Sequence, residues 1–201
     1  MFRGQGDASW PLLTTLDRRR PGFGTDSERL ECHAALLRQF QREIVGLTGQ
    51  QTGSLAGDAL ELLARHHGLP SILLDWTESP YIAAFFAFDA AAEVRSAHVG
   101  IWMLDRSLLH SDAIGRDVDM IDDRDLLRFN VRALAQRGIF TRVLTIAQPS
   151  EQLLADALVR FELPSSERAV ALAELDAMTI TAKDMFRDFD GAGRTAVNRV
   201  L

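Results

Sequence analysis

The run His66-His67-Gly68-Leu69-Pro70-Ser71-Ile72-Leu73-Leu74-Asp75-Trp76-Thr77-Glu78-Ser79-Pro80, continued by the apolar Tyr81 to Phe88, carries the densest signals in the chain. Gly68 suits the position just past a helix, and Pro70 cannot continue one. Ser71 to Leu74 is a β-like run that delivers Asp75, Trp76 and Thr77 to its C-terminal end. Ser79 is placed to cap a second helix, and Pro80 at its first position lacks only an N–H that would be orphaned there anyway. Every residue from Tyr81 to Phe88 is apolar or aromatic, which predicts a helix buried all round. The resulting corner sets Asp75, Trp76 and Thr77 beside a helix N-terminus, where backbone N–H groups favour an anion. The same residues also fit a purely structural corner, with the Asp capping backbone and the Trp filling core.

Working outward, Leu55 to His67 reads as the helix that precedes this corner, with Leu60, Leu63 and His67 on one face. Before it, Thr25 and Glu28 stand at capping-box spacing. They open an amphipathic helix with Leu30, Ala34, Leu37, Phe40, Ile44 and Leu47 at three- and four-residue intervals, closed by Gly46 and Gly49. The chain begins with Phe2-Arg3-Gly4, which reads as a strand end entering a turn; either that strand is very short or the natural start lies upstream. Arg18-Arg19-Arg20 reads as a solvated loop.

Downstream, His98 to Leu104 is a buried strand. Asp105 to Arg124, with Asp112, Asp117, Asp119, Asp122 and Asp123, lacks the ordered ligands and glycine of a calcium loop and reads as solvated. A helix over Leu126 to Ala135, a turn at Gln136-Arg137-Gly138 and a β-branched strand over Ile139 to Ile146 follow. A short helix from Pro149 to Ala155, a strand over Leu158 to Leu163, and helices over Ser165 to Leu175 and Thr181 to Phe189 complete the chain, the last closed by Asp190-Gly191. No repeat or linker divides it. The expectation is one α+β domain over 1–201, a small mixed or antiparallel sheet with flanking helices.

Composition narrows the function classes. A net charge of −6 over 201 residues argues against a broad footprint for duplex nucleic acid or an anionic membrane. The single lysine, Lys183, leaves arginine to carry nearly all positive charge. One cysteine, Cys32, excludes an internal disulfide framework and fits a reducing cytosol. No apolar run reaches transmembrane length and no signal peptide opens the chain, so a cytoplasmic protein is expected. Cys32 and His33 are neighbours on a helix and do not face each other, which disfavours a cysteine–histidine nucleophile. The His66-His67 pair lacks partners at zinc spacing, so no metal is expected. Asp75 and His67, brought close by the short Gly-Leu-Pro turn, leave a base–orienter pair open for a hydrolase or nuclease.

Taken in order, Phe2-Arg3-Gly4-Gln5, Trp10, His66-His67-Gly68-Leu69-Pro70, Leu73-Leu74-Asp75-Trp76-Thr77, the Ala84-Phe85-Phe86-Ala87 helix and Gln136-x-Gly138-x-Phe140 resemble the FRG domain. Leu163-Pro164 and Met185 to Gly191 are similar to its closing segment, while Ile72-Leu73 stands where that family often has a Thr-Arg pair. A fainter likeness is to the arginine-serine-glutamate ADP-ribosyltransferases, and it implies an ADP-ribosyltransferase-like fold with NAD as substrate. In that likeness Arg3 holds a phosphate or ribose hydroxyl, Thr77 and Ser79 replace the serine motif, and Gln136 occupies the glutamate position. A glutamine can bond ribose but cannot serve as a base. Gly4, Gln5, His67, Asp75, Trp76 and Phe140 complete the expected ligand-binding set. The competing reading is a non-catalytic module that binds a nucleotide, arginine on phosphate and Trp76 on a base, or a protein partner.

Overall fold

The computed structural model describes residues 1–45, 55–110, 116–127 and 130–200. In chain order β1 (Phe2–Gln5) leads to helices α1 (Thr15–Arg19), α2 (Asp26–Glu43) and α3 (Gly57–His66). Then come β2 (Leu73–Thr77), α4 (Pro80–Ala90), β3 (His98–Leu104), β4 (Val118–Ile121), α5 (Arg124–Leu127) and α6 (Val131–Ala135). After β5 (Gly138–Val143), α7 (Ser150–Leu153) and β6 (Leu158–Pro164), the chain ends in α8 (Arg168–Ala177), α9 (Ala182–Phe186) and α10 (Phe189–Val200). The strands form one six-stranded sheet in the order β4-β5-β2-β1-β3-β6, antiparallel at every pairing. This is the expected α+β class, with no parallel pair in the sheet.

The corner between α3 and α4 folds as its residues dictate. Gly68 takes φ +86, where a Cβ would be strained. The N–H of Leu69 reaches the Ala64 carbonyl (2.9 Å) and that of Gly68 the Arg65 carbonyl (3.2 Å), the paired closure of a Schellman motif. Ser79 Oγ accepts from the Ile82 N–H and caps α4, with Pro80 at its start. The strand covers Leu73–Thr77 rather than Ser71 to Leu74, so Asp75, Trp76 and Thr77 lie within it. α4 packs Ile82, Phe85 and Phe88 against Val99 and Ile101 of β3 and against Leu172 and Leu175 of α8. The helix is not buried all round as expected: Tyr81 is 54% exposed, and Ala84 and Phe86 are half-buried.

Elsewhere tertiary context overrides local pattern. The apolar stripe of α2 is only half-buried, and its deepest residues are Arg29 and His33. On α3 the buried residues include Glu61 and Leu62, whereas His67 is exposed. Arg18 and Arg19 belong to α1, capped by Thr14, rather than to a loop. The acid-rich segment contains β4, a short edge strand whose Asp119 pairs with Arg142 (2.6 Å). A new helix starts at Asn130, whose Oδ1 accepts from the Ala133 N–H (2.9 Å), so the segment before Gln136 is two helices, not one. Asp190-Gly191 does not stop a helix; left-handed Arg187 does, and Asp188 then accepts from the Gly191 N–H (2.7 Å) to open α10. Gly46, Leu47, Gly49 and Asp112 lie outside the described residues.

Arg29 is fully buried, and each of its three guanidinium nitrogens has a partner. It donates Nε and Nη2 to the two oxygens of Asp17 (2.7 and 2.8 Å) and Nη1 to the Val143 carbonyl (2.7 Å). One turn on, His33 Nε2 stands 3.4 Å from Glu61 Oε1, and neither atom has a hydrogen-bond partner. Burial, then the charges of Arg142 and Arg29, push His33 down to about 4. Burial also pushes the Glu61 carboxyl up, against the pull of Arg142.

Phe85 is 1% exposed in the cluster that joins α4, β3 and α8. Phe85→Ala should cost about 3–5 kcal/mol in urea unfolding. Since His33 protonates less readily folded than unfolded, its contribution to stability is present above about pH 6.5 and lost as pH falls toward 4. Up to about 3 kcal/mol depends on it. Stability curves at pH 7, 5.5 and 4 should therefore flatten in His33→Gln.

Candidate functional site

β1 is bound to β3 along its whole length but meets β2 at one pair, Phe2 with Thr77. The two central strands part beyond it, and a cavity of about 430 Å³ opens where they separate. Arg3, Gly4 and Gln5 of β1 and Asp75, Trp76 and Thr77 of β2 border it. Gln136, Gly138 and Phe140 approach from the segment around β5, Phe86 from α4, and Phe186 from α9. The size is that of a small-molecule site.

Arg3 replaces the missing ladder bonds. Its Nη1 donates to the Asp75 carbonyl across the gap (2.8 Å) and stands 3.6 Å from Asp75 Oδ2. Arg65, from the last turn of α3, reaches the same Oδ2 at 2.6 Å. Asp75 sits deep in the molecule, yet its carboxylate faces the cavity and 40% of its side chain is accessible. Burial is the largest influence on that carboxyl and opposes its charge. Arg65 and then Arg3 outweigh it and hold Asp75 below the usual carboxylate range. Burial also draws Arg3 below the ordinary guanidinium value, with Asp75 pulling the other way. The Nε atoms of Arg3 and Arg65 are buried without a partner.

Arg18 and Arg132 add two more cations to the lining. Arg132 is partly committed, pairing with Asp188 and donating Nε to the Phe186 carbonyl (3.0 Å). His66 also lines the cavity, held below its ordinary value by burial, by His67 and by Arg132. Four arginines thus line the cavity, two of them on the Asp75 carboxylate, which makes the site attractive to an anion. The Phe and Trp side chains of the lining with accessible area are Phe2, Trp10, Phe86 and Phe186, the last two edge-to-face at 6.0 Å.

Several expected ligand residues are occupied with the fold. Thr77 Oγ1 donates to the Gln136 carbonyl (2.7 Å) and accepts from the Ser79 N–H (3.2 Å), so its hydroxyl ties β2 to the turn before β5. Gln136 Nε2 donates to the Met185 carbonyl (3.2 Å). Gln5 bonds Pro11 and Trp102 (3.2 and 2.6 Å). Trp76 is 3% exposed and gives Nε1 to Thr141 (2.9 Å), which leaves no free face for a base. Phe140 packs with Leu62 and Leu73 and only borders the cavity. Ser79 and His67 do not line it: Ser79 caps α4, and His67 turns to solvent. The Asp75–His67 pair does not form, because Arg65 and Arg3 take the carboxylate. Among the described residues no group of His, Cys, Asp and Glu could hold a metal.

Residues 1–96 match the FRG domain. The matched segment runs from β1 through α4, so Arg3, Arg65, Asp75 and Phe86 belong to it while Arg132, Gln136 and Phe186 come from beyond. Searches of curated proteins and of solved structures gave no match. No helix among the described residues is long and apolar enough to cross a membrane. Arg18, Arg65, His66, Phe86, Arg132 and Phe186 were not legible as cavity residues; only the Arg-His-His run and the Met-Phe-Arg-Asp-Phe-Asp-Gly stretch hinted at some of them.

The Gly of the Phe-Arg-Gly motif has a steric duty. A Cβ on Gly4 would run into the Ala83 carbonyl oxygen and stand 2.7 Å from the Ala87 nitrogen, both backbone atoms of α4. No rotamer relieves that overlap. Gly4→Ala should lower stability by at least about 3 kcal/mol, at the upper end of overpacking costs. A melting temperature within a degree or two of the parent would show that α4 does not lie on β1 as described.

Proposed function

We propose that the cavity between β1 and β2 binds a phosphate-bearing nucleotide, with NAD among the candidates. The observation that carries this reading is the gathering of Arg3, Arg18, Arg65 and Arg132 on one cavity, two of them with a buried, unpartnered Nε. A phosphate supplies acceptors for such donors, and guanidinium groups suit it geometrically. Trp10, Phe86 and Phe186 offer the apolar wall that an adenine or nicotinamide ring needs. The ligand would draw on residues beyond the FRG match, so the working unit is taken to be one FRG-type domain over the whole chain. The unpaired Cys32 is in keeping with a reducing, cytoplasmic setting.

Binding without turnover is favoured over an ADP-ribosyltransferase-like enzyme. The Thr77 hydroxyl and the Gln136 amide are already committed, and no glutamate lines the cavity among the described residues. Among the described residues Asp75 is the one carboxylate in the lining, and its two arginines hold it ionised.

Calorimetric titration with NAD, ADP-ribose and ADP tests the binding. Loss of a charged hydrogen bond typically costs about 1.5–3 kcal/mol, roughly tenfold to hundredfold in affinity. Arg3→Ala and Arg18→Ala should each weaken binding on that scale, while Arg19→Ala in the same basic run should not. Failure of all three ligands to bind would remove the nucleotide reading and leave a protein-binding module. Release of nicotinamide from labelled NAD would restore the enzyme.

A further inference from the structure

The sheet has two free edges, and they differ. β4 is four residues long, and its Asp119 is tied to Arg142. β6 is seven residues long, pairs only with β3 among the described residues, and is exposed from Val159 to Pro164. Its apolar residues alternate: Val159, Phe161 and Leu163 are 45%, 47% and 37% exposed. They stand opposite Met103, Ile101 and Val99, so the face that α4 and α8 cover over β3 continues uncovered onto β6. Six exposed edge residues that alternate apolar Val159, Phe161 and Leu163 with Arg160, Glu162 and Pro164 present a row of unpaired backbone groups on which another strand can build.

The hydrogen-bonding direction along β6 is fixed by its ends. The Ala157 carbonyl accepts from the Asp105 N–H (2.8 Å), and the Ser165 N–H reaches the Ala97 carbonyl (2.9 Å). Odd-numbered residues therefore turn their backbone groups toward β3, and Leu158, Arg160, Glu162 and Pro164 turn theirs outward. We infer that β6 pairs antiparallel with β6 of a second copy of this chain across a twofold axis at Phe161, joining two six-stranded sheets into one.

Charge and chirality of the ladder select that register. Centring on Phe161 sets Arg160 of one copy directly opposite Glu162 of the other, twice, and both residues present outward N–H and C=O groups. Val159 then faces Leu163 across the strands, and the two Phe161 side chains meet at the axis on the uncovered apolar face. The outward N–H of Leu158 meets the Pro164 carbonyl, and Pro164, which has no N–H to offer, falls at the end of the ladder. Centring on Arg160 or on Glu162 would oppose like charges, which destabilises cross-strand pairs. In this chain Arg160 already lies 2.7 Å from Glu162, and that bond is exchanged for the intermolecular one.

The test is sedimentation of the 201-residue chain at about 1–100 µM, far from any ligand. A concentration-dependent dimer is expected. Glu162→Arg should raise its dissociation constant more than about tenfold by opposing two arginines, and Glu162→Arg with Arg160→Glu should restore it. Because Arg160 also donates to the Ala8 carbonyl (3.0 Å), circular dichroism must show the double variant folded, and Phe161→Glu provides a second break that spares that bond. Register is read separately. In a Cys32→Ser background, Phe161→Cys should form a disulfide-linked dimer on mild oxidation, since directly opposed residues at a non-hydrogen-bonded position bring Cα atoms to about 4.5 Å. Val159→Cys should not, as its counterpart is Leu163. A monomer throughout, a dimer indifferent to Glu162→Arg and Phe161→Glu, or cross-linking through Val159→Cys in place of Phe161→Cys would overturn the inference.

Discussion

The site exists because β1 and β2 are held together by side chains where their backbones have parted. Two neighbouring strands joined at a single pair would ordinarily leave peptide groups without partners, a loss a buried sheet cannot sustain. Arg3 spans the opening and satisfies the Asp75 carbonyl, while Arg65 steadies the Asp75 carboxylate from α3. The strands are thereby kept apart and kept in register at once. One anion between two guanidinium groups thus fixes the relative position of β1, β2 and α3, and every other cavity residue is placed by one of those three or by what packs on them.

The same strand is constrained from its other side. Gly4 lets the backbone of α4 lie directly on β1, which brings Phe86 to the cavity and lets Phe2 join the apolar cluster beneath. Phe-Arg-Gly is therefore three separate requirements on consecutive residues: an apolar anchor, a charge bridging the gap, and the absence of a side chain. This accounts for why so short a motif can mark a fold. Each position answers to a different neighbour, and no residue with a side chain meets the third.

The motifs legible in the sequence were those whose physics is local. The Gly68 stop, the Ser79-Pro80 start and the β3 strand depend on backbone geometry and on apolar alternation within a few residues, and they fold accordingly. Trp76, Thr77 and Gln136 were legible as neighbours of the site, but their bonding was not. Thr77 spends its hydroxyl on a carbonyl 59 positions away, and Trp76 its N–H on a threonine 65 away. Arg18, Arg65 and Arg132 sit on exposed-looking helices, and only the packing of α1, α3 and α6 around one opening assembles them. β4 is not legible in the sequence because four residues with an Asp among them carry too little alternation.

The buried arginines differ in how completely the fold pairs them. Arg29 is wholly enclosed, and its Nε and both Nη groups are occupied by Asp17 and the Val143 carbonyl. With each nitrogen engaged, this guanidinium clamps α2 onto α1 and β5. Arg3 is also deeply set, at 13% side-chain exposure, yet it keeps an unpartnered Nε and shares its counter-ion with Arg65, itself left with an unpartnered Nε. Leaving buried donors unpaired costs about 1–3 kcal/mol each when nothing fills them. At Arg29 every guanidinium nitrogen finds a partner within the fold. At Arg3 and Arg65, where the central strands part, donor capacity is instead left over beside the cavity.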